Sequence, residues 1–247
     1  MDRMIYVAMS GAKQTLGQQA TVSHNLANLT TGGFRAETSV FRAVPLVGEG
    51  APTRAFVIDS TPAADFTPGV LQGTGRDLDI AVQGKGWIAV QAPDGSEAYT
   101  RAGSLQLNAN GVLETRGGHA VFGDAGPLAV PNDTLITIAG DGTISTVPTG
   151  NRPSASSTLG RIKLVNPPEG SLERGNDGLF RVRGGGAAPA DANVRIVSGA
   201  LEGSNVNAVD AMVSMIALAR QFDMQMKMLQ NAEGNATKAA QLLTLQG

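Results

Sequence analysis

The sequence predicts an α+β protein, with long helices at its two ends and a central, mainly antiparallel β domain (a sandwich or irregular barrel) between them. Three observations predict it. Proline is absent from Asp2 to about Ala27 and again from about Ser204 to Leu245, and both stretches carry apolar residues at steps of three and four. The stretch between them is punctuated by glycine, proline and Asx-Gly dipeptides. No strand–helix–strand alternation occurs there, which argues against a parallel, doubly wound sheet.

In the first helix the stripe is Ile5, Ala8, Ala12, Leu16, Val22 and Leu26. Asn28-Leu-Thr-Thr-Gly-Gly-Phe34 then supplies a stop, since Gly32 and Gly33 permit positive φ and Asn28, Thr30 and Thr31 favour capping. Residues 35–75 carry Pro45, Pro52, Pro62 and Pro68 around short β-like pieces such as Ala55-Phe-Val-Ile58, and read as an extended arm or a few edge strands. The β domain is expected over 76–200. Its strands fall at Leu78–Val82, Trp87–Val90, Leu135–Ile138, Arg161–Val165, Leu179–Val182 and Val194–Val197, with tight turns at Asp94-Gly95, Asn110-Gly111 and Asp141-Gly142. Longer breaks fall at Pro148–Ser157, Asn166–Gly170 and Gly184–Ala192.

The second helix begins at a choice of caps, Ser204, Asn205 or Asn207, with Asp210 in the first turn where the helix dipole favours a negative charge. Its stripe runs Val206, Val209, Val213, Ile216, Ala219, Phe222, Met226, Leu229, Ala236, Ala240 and Leu243, and is expected to lie on one face. At a rise of about 1.5 Å per residue it reaches about 60 Å, longer than a small β domain is wide. Neither helix has an evident core of its own, so copies or relatives of the chain are expected to complete it. Met212, Met215, Met224, Met226 and Met228 fit helix–helix contacts within and between subunits, where adaptable side chains tolerate different neighbours.

Composition narrows the functional classes. Hydrophobic residues make up 42% and charged residues 16% of the 247, and the net charge is −2. A surface so poor in charge fits either burial in an assembly or a coat of Ser, Thr, Asn and Gln. Basic residues are scattered, and Trp87 with two tyrosines makes no base-stacking platform, so nucleic acid is not an expected partner. With no cysteine there can be no disulfide, thiolate zinc site or thiol nucleophile. The first residues lack the apolar run of a secretory signal, and no segment approaches the roughly 20 apolar residues of a membrane span. If the protein works outside the cytoplasm, it needs a signal-independent route.

Chemistry is sparse. His24 and His119 are the only histidines and read as a polar contact and a turn residue. No Gly-x-Ser-x-Gly elbow marks a nucleophile. Asp77 and Asp79, two residues apart, would share one face of a strand, either as a paired acid–base or cation site or as the plain polar face of a strand whose Leu78 and Ile80 face inward. The glycine-rich Gly73–Gly75 and Gly84–Gly86 lack a phosphate loop's Lys-Ser/Thr and read as turns. No catalytic residue, cofactor or metal ligand is assigned.

Several stretches resemble the flagellar rod and hook family. Ser23-His-Asn-Leu-Ala-Asn28 with Thr31-Gly-Gly-Phe-Arg35 is similar to its signature at the end of the first helix, with His24 where asparagine is usual. Asp77–Trp87, Tyr99–Ser104 and Asn108–Leu113 resemble its central β domain. Leu201-Glu-Gly-Ser-Asn-Val206 with Met212, Met215-Ile216, Arg220 and Phe222 resembles its last helix. Within the family the Met-Asp-Arg start, Phe41–Pro45, Asp59–Pro62 and Asp65–Gly69 look like the proximal-rod member, and the distal-rod member is the alternative.

The resemblance implies a non-enzymatic subunit of a drive shaft that crosses the periplasm, exported through the flagellar type III apparatus. Its partners would be copies of itself and other proximal and distal rod proteins. It divides the chain into an assembly helix with its stop (1–34), an arm (35–75), the β domain (76–200) and a second assembly helix (201–247). The two helices would pair as an antiparallel coiled coil on the inner wall of a tube. The candidate interface comprises the two stripes together with Asn25, Asn28, Gly33, Phe34 and Asn205. Before assembly the termini are expected to be largely disordered. A secreted β-rich enzyme or a soluble adaptor would explain the β middle but not the two helical stripes.

Overall fold

The computed structural model describes residues 2–45, 55–131, 134–148 and 156–244. Two compact units are present. One comprises residues 1–29, 36–65 and 206–247, the other residues 30–35 and 66–205.

The first unit is built from two helices and a ribbon. Helix α1 (Asp2–Ala27) packs along helix α2 (Ala208–Thr244), and strands β1 (Glu37–Pro45) and β2 (Ala55–Ala64) form an antiparallel pair touching α1. The part of residues 35–75 read as an arm thus contains a two-stranded ribbon. Proline is tolerated in it because no third strand needs the missing N–H. Of the three candidate caps Asn207 serves: its Oδ1 accepts the Val209 N–H at 3.0 Å and its carbonyl accepts the Ala211 N–H at 3.0 Å. At the end of α1 the Asn28 side chain donates back to the His24 carbonyl at 2.9 Å.

The second unit is an antiparallel β assembly of several small sheets. The largest has five strands in the order Leu164–Val165, β5 (Trp87–Gln91), β6 (Glu97–Thr100), Phe180–Val182 and Leu172–Arg174. A three-stranded sheet runs Thr134–Ile138, Thr143–Pro148, Ser157–Arg161. Strand β3 (Leu71–Gly73) pairs with Ala200–Glu202, and β4 (Ile80–Gln83) with Arg195–Ser198. One core fills the interior, with Ile80, Ile88, Val90, Leu105, Leu113, Val121 and Ile144 all fully buried. The Asx-Gly turns form as expected. At one the Asp94 carboxylate accepts from the Ser96 hydroxyl (2.6 Å) and N–H (2.9 Å). At another Asp141 accepts from the Thr143 N–H (3.0 Å) and hydroxyl (2.8 Å). These bonds hold both carboxyls below the usual carboxylate pKa.

Candidate assembly interface

The seam of the first unit differs from the stripe expected for α2. The half-buried positions are Ala208, Ala211, Met215, Leu218, Phe222, Gln225, Leu229 and Ala232. They alternate steps of three and four, the spacing that keeps one seam in line. Phe222 and Leu229 belong to this seam, but Val209, Val213 and Ile216 do not, remaining 67%, 62% and 55% exposed. The reason is the run of threes from Val213 through Ile216 and Ala219 to Phe222. Nine residues turn a helix about two and a half times, so Val213 and Phe222 face opposite ways. Val206 is half-buried just before α2, and Ala219 and Met226 are exposed. The side chains of Ala236, Ala240 and Leu243 lie outside the described residues.

On α1 the matching face is Ile5, Ala8, Ala12, Thr15 and Val22, with Ala8 and Ala12 buried. Gly11 lets the Gln225 amide lie against its backbone: a Cβ there would stand 2.9 Å from Nε2. Thr15 is buried because its hydroxyl donates to the Gly11 carbonyl at 2.9 Å. Leu16, expected in the same stripe, instead joins Tyr6 and Met9 on the exposed side, since two successive steps of four carry it round the helix. Leu26 is half-buried near the helix end. Asn25 secures β1 by a two-way bond with Glu37, its Nδ2 donating to the carbonyl and its Oδ1 accepting the N–H, each at 2.8 Å. His24 is a polar contact, with Nδ1 3.1 Å from Glu37 Oε2.

Gly33, Phe34 and Asn205 belong to the β unit and meet there. Gly33 has φ +70°, and a Cβ on it would overlap the backbone of Arg101. Its N–H donates to the Glu202 carbonyl at 2.8 Å. The Asn205 N–H reaches the Phe34 carbonyl at 3.3 Å, and its Nδ2 the Thr67 carbonyl at 3.1 Å. The Arg174 guanidinium stacks over the Phe34 ring at 4.4 Å. Beside them lies a cluster that sequence patterns do not reveal. The fully buried carboxylate of Glu202 accepts from Arg35 Nη2 (2.6 Å) and the Gly69 N–H (2.9 Å) on Oε1, and from Arg101 Nη1 (3.0 Å) on Oε2.

The two carboxylates considered for acid–base chemistry do not pair. Asp77 is exposed in a turn, whereas Asp79 is buried with Arg76 Nη1 at 3.5 Å. Both readings of these residues as one face of a strand are corrected by that turn: the strand begins only at Ile80, and Leu78 is half-buried. His119 follows the turn closed by the Gly118 N–H on the Thr115 carbonyl and does not lie within it. Among the described residues no three His, Asp or Glu side chains gather as a metal site, and no helix is long and apolar enough to cross a membrane.

Three family models match in chain order: the flagella basal body rod protein model over residues 5–35, the flagellar hook protein FlgE/F/G D1 domain over 81–146, and the flagellar basal body rod FlgEFG protein C-terminal model over 197–242. The flagellar basal-body rod protein FlgF of Escherichia coli K12 is 51% identical over 99% of this chain and 100% of its own length. The chain belongs to the flagellar basal-body rod family. FlgF of Salmonella typhimurium LT2 is 49% identical over the same shares. The rod protein FlgG of Buchnera aphidicola from Acyrthosiphon pisum is 29% identical over 96% of this chain and 98% of its own length. The two terminal models of the rod family cover most of α1 and α2, and the D1 model covers the first part of the β core.

Proposed function

We propose that this chain is a structural subunit of the bacterial flagellar basal-body rod, of the FlgF, proximal-rod kind, and that it carries torque without catalysing a reaction. The observation that supports this most directly is the two-sided character of the helices. One face of α2 is occupied by α1, while Val209, Met212, Val213 and Ile216 form a second apolar face open to solvent. Tyr6, Met9 and Leu16 do the same on α1. Two unpartnered apolar faces suit head-to-tail contact with neighbours in an open helical assembly, where each subunit both offers and receives a surface.

In this reading α1 and α2 run antiparallel as a short coiled coil. The seam's alternating spacing supports it, as does the placement of Gly11 against Gln225, 16 residues before the end of α1 and 17 after the start of α2. The small sheets enclosing one core act as an irregular barrel on the outer side of the shaft. Other rod proteins and the type III export apparatus are the partners, and the rod's passage through the periplasm is the location. The termini order fully on docking, when their second faces are covered. The distal-rod, FlgG-like position is the alternative, supported only by lower identity.

The test is complementation of a strain lacking the chain with an Ile216→Asp copy, followed by isolation of basal bodies. The variant is expected to be exported and stable yet missing from the rod, with motility lost. Normal incorporation would sink the two-sided assembly scheme.

A further inference from the structure

The chain passes between its two units four times, after residues 29, 35, 65 and 205. Inside the β unit the segments leading to these passages are all bonded at one place. Gly33 donates to the Glu202 carbonyl, Arg35 and the Gly69 N–H bind the Glu202 carboxylate, and Asn205 donates to the Phe34 carbonyl. Arg101 adds the remaining cation, from a position already inside the core.

The charges here do not balance. Arg35 and Arg101 are both buried, and among the described residues Glu202 is the one carboxylate paired with them. Burial is the main pull lowering the Arg101 pKa, Arg35 adds to it, and Glu202 opposes both. The ring of Trp87 takes part of the excess, with Arg101 5.4 Å and Arg35 6.0 Å from its centre. Without the Glu202 carboxylate, two guanidiniums would face each other out of water, an arrangement that low dielectric penalises steeply. They would have to stay hydrated and apart.

We infer that Glu202 is the keystone of the β unit: its docking closes the unit around all four chain passages, so residues 30–35 and 66–73 become fixed only once the chain through residue 205 is in place. Close approach reinforces the order. A Cβ on Gly69 would overlap the Gly203 carbonyl and one on Gly33 the Arg101 backbone, so these segments seat against finished backbone. Closure of this kind belongs to the single chain and is independent of rod assembly.

The test uses the full-length chain with Glu202→Gln, and with the pair Glu202→Gln/Arg101→Gln, which leaves the net charge of the cluster as it is in the wild type, in case the single change unfolds the unit. Amide exchange is read residue by residue, and the emission of Trp87, the only tryptophan, reports the cluster directly. Expected in the double variant is exchange about ten- to a hundredfold faster at Gly33, Gly69 and β3, a red-shifted Trp87 emission, and unchanged rates in β5. Wild-type rates at Gly33 and Gly69, or equal acceleration through β5, would overturn the keystone role.

Discussion

The helical unit and the β unit bury their side chains to different depths. In the β unit isoleucine, leucine and valine sit at zero exposure around one core. On α1 the best-buried described positions are Ala8, Ala12 and Thr15, while Tyr6, Met9 and Leu16 face water. On α2 the large seam residues Met215, Leu218, Phe222 and Leu229 are only half-buried. Fully burying a large aliphatic side chain contributes about 1.5–3 kcal/mol, and an alanine much less. The β unit therefore holds itself together by its own core. The helical unit is sealed thinly along one seam and leaves further large apolar groups uncovered on its other faces. That division is what a subunit needs if it is to arrive folded in one part and finish the other part against neighbours.

The sharpest way to break the contrast is to charge the β core. Ile88→Asp is expected to cost about 4–5 kcal/mol and unfold that unit, seen as loss of the urea transition. Next comes alkali. Tyr99 is fully buried, its hydroxyl donating to Glu97 Oε1 at 3.0 Å and accepting the Ala188 N–H at 2.6 Å. Burial, with help from the Glu97 carboxylate and against the Ala188 N–H, pushes its pKa from 10.0 up to about 12. The folded value is the higher one, so its stability contribution is complete below pH 10 and lost as pH rises towards 12. The loss is about 3 kcal/mol, measured by urea unfolding across that range, and Tyr99→Phe should remove this share of the dependence.

The helical unit should respond more gently. Phe222→Ala, in the seam, is expected to cost about 1–2 kcal/mol of helix melting by circular dichroism. Ile216→Asp, on the open face, should change the stability of the isolated chain by no more than about 0.5 kcal/mol. A large effect of Ile216→Asp on the lone chain would mean that the second face is already covered within it.

Much of the β unit is legible in sequence because its signals are local. Asp94-Gly95 and Asp141-Gly142 each place a carboxylate and a positive-φ glycine side by side, which is all a tight turn requires. Helix existence was equally plain, from missing proline and repeated apolar spacing. Which apolar residues meet was not: the stripe from Val213 to Phe222 looks continuous in sequence but winds round the helix, and only the alternating seam through Leu218 resolves it. The turn that separates Asp77 from Asp79 was hidden because a two-residue spacing reads the same on a strand that has not yet begun. The Glu202 cluster was invisible for a different reason. Its partners Arg35 and Arg101 stand 167 and 101 residues away, and no periodicity joins them.

Gly33 carries a consequence in genetic terms. Its left-handed φ excludes ordinary side chains, and the atoms a Cβ would strike belong to the main chain of Arg101 and Ala102. Shortening a neighbouring side chain cannot make room where the obstacle is backbone. A motility screen for second-site revertants should recover partners for changes at Arg101 or Glu202, whose contacts are side chains, but from a Gly33 substitution it should return only glycine.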